Sequence, residues 1–192
     1  MAKRRRLIVG NWKMYGRLTS GLQLARDVSE KALAAKPLSL DVVICPPATL
    51  MWPVAEAIMG TPVMLGAQDC HTETHGAFTG DLSAAQFSDL GCRYVIVGHS
   101  ERRRMHGETD VLVAEKTEAV QLAGLTAIVC VGETVEQLAD GSAADIIEKQ
   151  LKTSLPSACK MAQLVVAYEP VWAIGSGQQP SPDDIAAVHK VI

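Results

Sequence analysis

The feature that most limits what this chain can fold into is a recurrence of short apolar runs, six of them, separated by longer stretches of helical period. The runs are Leu7–Val9, Val42–Ile44, Val63–Leu65, Tyr94–Val97, Ala127–Val131 and Leu164–Ala167. They are continuous blocks rather than alternations of apolar and polar residues, the pattern of parallel strands covered on both faces. The stretches between them carry helix-start signals at Leu18-Thr19-Ser20, at Ser83 and at Thr109-Asp110, the last followed by Val113, Thr117 and Val120 on one face. Ser181-Pro182-Asp183-Asp184 opens a further helix, with a serine cap, proline in the first position and acids in the first turn. No linker-like stretch or internal repeat interrupts the alternation. Residues 1–192 are therefore expected to form a single α/β domain, either doubly wound or a closed barrel.

Polar residues crowd the position just after the strands: Asn11-Trp12-Lys13, Gln68-Asp69, His99-Ser100-Glu101, Gly132-Glu133 and Glu169-Pro170. In both architectures ligands bind at the carboxyl ends of the strands, so the site is expected there. The formal net charge of -3 gives no whole-chain attraction for nucleic acid, and an anionic ligand would need a local cation. The basic run Lys3 to Arg6 reads as a solvated lead-in to the first strand. Five cysteines, an odd number with no C-x-x-C pair and no zinc-like spacing, suit a reduced cytoplasmic compartment. The apolar stretch Leu7–Val9 is too short for a signal-peptide core or a membrane span, so no membrane partner is expected.

Four features at the strand ends have candidate chemistry, each beside a plainer reading. Lys13 is a compact charge for a phosphate or a developing enolate oxygen, or else a surface lysine. His99, ahead of a polar turn that can begin a helix, is a neutral hydrogen-bond donor or a satisfied core histidine. Glu169, held extended by Pro170, is a base or a solvated carboxylate. Val171 to Gly177 is apolar where a surface loop is normally polar and ends in glycines. It is either a hinged lid that excludes water or a loop packed on the core.

Taken together the motifs resemble the triosephosphate isomerase family: NWKM at Asn11–Met14, AQD at Ala67–Asp69, GAFTG at Gly76–Gly80, VGHSERR at Val97–Arg103 and YEPVWAIGSG at Tyr168–Gly177. The family gives the (β/α)8 barrel its name. The resemblance implies that fold, with the first six strand-helix units present, and an aldose-ketose isomerase of glycolysis and gluconeogenesis that interconverts dihydroxyacetone phosphate and D-glyceraldehyde 3-phosphate. It implies catalytic roles for Glu169 as base, His99 as proton shuttle, and Lys13 and Asn11 at the substrate oxygens. Gly175 would bind the phosphate through its backbone N–H, and Glu101 and Cys130 would support the site. Neither a metal nor an organic cofactor is implied. A homodimer is implied, with Thr79 in the loop His71–Asp81 reaching the neighbouring subunit.

Departures from the family pattern are Tyr15 where asparagine is frequent, Ser176 where threonine is frequent and Gln178 where lysine is frequent. A complete barrel of this kind has eight strands and about 250 residues, so two units have no counterpart here. The expectation is a sequence that is part of a longer enzyme. Its alternatives are an inactive barrel fragment and a non-catalytic phosphate-binding or interaction protein.

Overall fold

A computed structural model describes residues 5–35 and 39–192; Lys3 and Arg4 of the basic run lie outside them. Arg5, the described part of that run with Arg6, pairs with Asp41 at 2.8 Å while staying mostly exposed, as a solvated lead-in should. The chain divides into two compact units at Val95.

The first unit alternates strand and helix: β1 (Arg6–Asn11), α1 (Leu18–Ala34), β2 (Leu40–Cys45), α2 (Met51–Ile58), β3 (Val63–Ala67), α3 (Ala84–Asp89) and the start of β4 (Tyr94–Val97). Each strand pairs in parallel with the next, in the registers Asn11↔Cys45, Ile44↔Leu65 and Ala67↔Val95. Val43, Leu65, Val54 and Val95 form its core, each at most 3% exposed. A buried valine of this kind contributes about 1.5–3 kcal/mol relative to exposure. Helix α3 starts where Ser83 predicts, with a reciprocal cap between Ser83 and Gln86. Helix α1 likewise begins at Leu18, where Ser20 Oγ accepts from the Arg17 backbone N–H.

The second unit completes β4 and continues with α4 (Ser100–His106), α5 (Asp110–Leu122), β5 (Thr126–Val131), α6 (Val135–Ala139), α7 (Ala143–Ser154), β6 (Leu164–Tyr168) and α8 (Pro182–Val191). Strands β5 and β6 are parallel from Ala127↔Leu164 to Val131↔Tyr168. The face anticipated on α5 is the one that packs, since Val113, Thr117 and Val120 are fully buried. Helix α8 has the expected cap, Ser181 Oγ accepting from the Asp184 N–H at 3.1 Å. A buried charge also lies here: Glu108 Oε1 accepts from Lys116 Nζ (2.5 Å) and Arg102 Nε (2.6 Å). Burial pushes this carboxyl up, but the two cations outweigh burial and hold it below its ordinary range.

All five cysteines are free and four are buried. Burial raises Cys45 and Cys92 to about 12, whereas Cys159 is partly exposed. Among the described residues, no helix is long and apolar enough to cross a membrane.

Candidate functional site

In the first unit the strand-end residues build a clamp around one backbone turn. Lys13, with φ 51°, is the one non-glycine residue with positive φ among those described. A left-handed residue of this kind costs about 1–3 kcal/mol and persists only where its surroundings hold it. Two side chains hold it. Asn11 Oδ1 accepts from the Lys13 N–H at 3.0 Å, and Gln68, the residue after β3, donates through Nε2 to the carbonyls of Lys13 (2.9 Å) and Cys45 (2.8 Å). Lys13 is half-buried at this turn. The sequence places Gln68 at a strand end but assigns it no role, because its targets are backbone carbonyls distant along the chain.

The same unit carries the loop that includes Thr79. It is tied off by the His71 N–H to the Leu82 carbonyl (2.8 Å), and it stacks His71 on Phe78 with ring centroids 4.0 Å apart. Thr79 and its neighbours from Glu73 to Leu82 are exposed. So are Met14 and Tyr15, at 95% and 76%.

The second unit brings His99 and Glu169 into contact. His99 caps α4, and its Nδ1 accepts from the Glu101 N–H at 3.2 Å. A ring nitrogen that accepts carries no proton, so Nε2 is the protonated one, and it lies 2.8 Å from Glu169 Oε1. Glu169 Oε2 accepts from the Ser100 N–H at 2.9 Å. Burial pushes the Glu169 carboxyl up, but hydrogen bonds from His99 and from the Ser100 backbone more than offset it and hold the group below its ordinary range. The result is an ionised carboxylate held against the Nε2 of an imidazole that caps a helix start. Glu101 Oε2 lies 3.5 Å from His99 Nδ1. Cys130 is buried in β5, in register with Ala167 two residues before Glu169.

Gly132 decides how closely β5 can approach Glu169. A Cβ there would lie 2.0 Å from the Glu169 carbonyl oxygen and 3.0 Å from a Val171 methyl, so any side chain would push the base out of place. Glu133, one of the polar strand-end residues, does not face a ligand: it is 1% exposed, and its Oε1 accepts from Tyr168 Oη (2.8 Å) and Trp172 Nε1 (2.7 Å). Burial, with the Glu133 hydrogen bond next, pushes the Tyr168 hydroxyl above its ordinary range. These contacts anchor the root of the Val171 to Gly177 loop. Its tip stands exposed, with Ile174 at 48% and both Gly175 (φ 72°) and Gly177 (φ 76°) left-handed. Among the described residues, no group of three or more His, Cys, Asp or Glu side chains is placed to hold a metal ion.

Comparison with known proteins gives a single answer. The family model for triosephosphate isomerase matches residues 6–192. A triosephosphate isomerase of Afipia carboxidovorans is 52% identical over 190 residues, covering 99% of this chain and 75% of that protein. One from a Bradyrhizobium species is 50% identical, covering 98% and 74%. The crystal structure of triosephosphate isomerase from Bartonella henselae superposes with a TM-score of 0.86 at 37% identity, over 98% of this chain and 74% of that one. The chain thus spans about three quarters of the length of these relatives.

Proposed function

The chain belongs to the triosephosphate isomerase family, and from that premise we propose that it interconverts dihydroxyacetone phosphate and D-glyceraldehyde 3-phosphate through an enediolate, as a step of glycolysis and gluconeogenesis. In the family the pairing of a carboxylate base with a neutral histidine is a standard example of tuned acid-base chemistry. Here the observation that most supports the reading is the wiring of Glu169. Its oxygens are held 2.8 Å from His99 Nε2 and 2.9 Å from the Ser100 N–H, so the carboxylate is charged and ready to accept a proton.

Glu169 removes a proton from the carbon next to the carbonyl and delivers it to the neighbouring carbon. To do so, one oxygen leaves its present donor for the substrate. His99 donates its Nε2 proton towards the carbonyl oxygen and moves a proton between the two oxygens of the enediolate. The Lys13 ammonium stabilises the negative oxygen and the phosphate, and Asn11 helps orient the same oxygens. Glu101 and Cys130 support this arrangement. When the lid closes, the Gly175 N–H binds the phosphate, and water is kept from an intermediate that otherwise eliminates phosphate.

The protein acts as a homodimer in the cytoplasm. The exposed loop around Thr79, with Met14 and Tyr15, supplies the surface for a second copy, and Thr79 supports Asn11 and Lys13 across that interface.

A coupled isomerase assay tests the reading. Glu169→Asp shortens the base by one methylene and should lower kcat by about a hundredfold or more, while the circular dichroism spectrum is retained. Unchanged turnover would exclude Glu169 as the base and leave a phosphate-binding protein without this chemistry.

A further inference from the structure

Within the second unit the Arg103 side chain donates four hydrogen bonds. Its Nε donates to the Gly98 carbonyl (2.7 Å), Nη1 to Asp110 Oδ1 (2.5 Å), and Nη2 to the Cys130 carbonyl (3.2 Å) and Ser154 Oγ (3.0 Å). Two of these acceptors are backbone carbonyls, one directly before His99 and one near the end of β5. Gly98 itself is left-handed, with φ 65°, and a Cβ on it would meet both Val113 methyls at 2.8 Å and Arg103 Nη2 at 3.0 Å. The guanidinium therefore lies where only a glycine leaves room, against the bend that joins β4 to α4. Asp110 is fixed in turn, accepting from Ser154 Oγ through Oδ1 and from Thr153 Oγ1 through Oδ2, each at 3.0 Å.

We propose that Arg103, oriented by Asp110, is a positioning residue that sets the tautomer and aim of His99. The inference rests on the reading of His99 as the donor to the substrate oxygens. The causal chain is short. The Arg103 fork fixes the Gly98 carbonyl and with it the path of the chain into α4. That path presents the Glu101 N–H to His99 Nδ1 at 3.2 Å and the Ser100 N–H to Glu169 Oε2 at 2.9 Å. An Nδ1 obliged to accept leaves the proton on Nε2, the nitrogen directed at Glu169. A lysine cannot substitute, because one ammonium cannot satisfy carbonyls and a carboxylate lying in three directions as a planar fork does. A purely structural ion pair would join the same helices but would have no reason to engage the residue directly before His99.

The test is long-range 1H–15N spectroscopy of the histidine rings in the full chain, with His99 identified by the signal lost in His99→Gln. In the parent protein His99 should show an unprotonated Nδ1 and a protonated Nε2. In Arg103→Lys the Nε2 proton should exchange with water about tenfold faster, the change expected from weakening one hydrogen bond, and the two ring nitrogens should move towards an averaged pattern. Asp110→Asn should shift them in the same direction by less, with His189 unchanged in both. Folded Arg103→Lys and Asp110→Asn proteins whose His99 ring matches the parent would overturn the proposal. So would loss of cooperative folding in both, since the pair would then serve stability alone. The isomerase assay separates the two readings. A parent protein without turnover but with the His99 shift defeats the assigned activity and spares the positioning role, whereas turnover that depends on Glu169 without the shift does the reverse.

Discussion

The turn at Lys13 and the cluster at Glu169 both hold a charged side chain at the end of a strand, yet they do so by different physics. Lys13 is held through its backbone: a left-handed residue is clamped by the neutral amide groups of Asn11 and Gln68. Glu169 is held through its charge, by an imidazole N–H and a helix-start amide that favour the ionised form. The first arrangement should be indifferent to pH and sensitive to shape. The second should be sensitive to both, because it combines charge-assisted hydrogen bonds with a close approach of β5.

The largest effect is expected where shape constrains the second arrangement. Gly132→Ala places a Cβ 2.0 Å from the Glu169 carbonyl oxygen, and backbone rather than a flexible side chain must yield. The cost should reach about 3 kcal/mol, the upper end of ordinary overpacking, read as a lower chemical-denaturation midpoint with an unchanged m-value. A midpoint within error of the parent would mean that β5 and Glu169 are not tightly opposed. Next comes Gln68→Met, which keeps the volume and removes both donations to Lys13 and Cys45. The Cys45 carbonyl keeps the Trp12 N–H at 3.0 Å, so the loss should be about 1–2 kcal/mol and the same at pH 5 and pH 8. A pH-dependent loss would break the distinction between the two regions.

The smallest change sharpens the distinction. The folded Glu169 carboxyl lies below its ordinary value, so its contribution to stability is complete above the unfolded-state pKa near 4.5 and is lost as pH falls through the folded value. Ser100→Pro removes one of its donors with little other disturbance. Proline is accepted at the first position of a helix, and His99 before it already has φ -55° and ψ 143°. The Glu169 titration, followed by carboxyl 13C shifts, should move upward towards the ordinary value. An unmoved midpoint would assign the whole effect to His99.

What the sequence made legible was local. All six strands lie where continuous apolar runs stand, and the caps at Ser83, Thr109 and Ser181 start the helices they announce, because a hydroxyl and an amide three residues apart find one another without help from the fold. Lys13, His99 and Glu169 were visible as strand-end polar residues. What they touch was not. The Ser100 and Glu101 amides carry no side-chain signature, and Gln68 acts on carbonyls 55 and 23 positions away. Arg103 reaches Cys130 and Ser154 across 27 and 51 positions. Glu133 shows the opposite error, a carboxylate that looks like a ligand-facing group until Tyr168 and Trp172 are seen to occupy it. Close approach at Gly132 is equally silent, since a glycine after a strand reads as a turn.

The buried thiols have a practical consequence. With Cys45 raised to about 12, the thiolate fraction at pH 8 is on the order of one in ten thousand, and its shielding by the core lowers reactivity further. Alkylation of the buried Cys45, Cys70, Cys92 and Cys130 therefore waits for local opening, while the partly exposed Cys159, whose Sγ accepts from Gln121 Nε2 at 3.5 Å, should label sooner. The chain carries its own set of timers, and mass spectrometry of a labelling time course would reveal which half of the molecule breathes first.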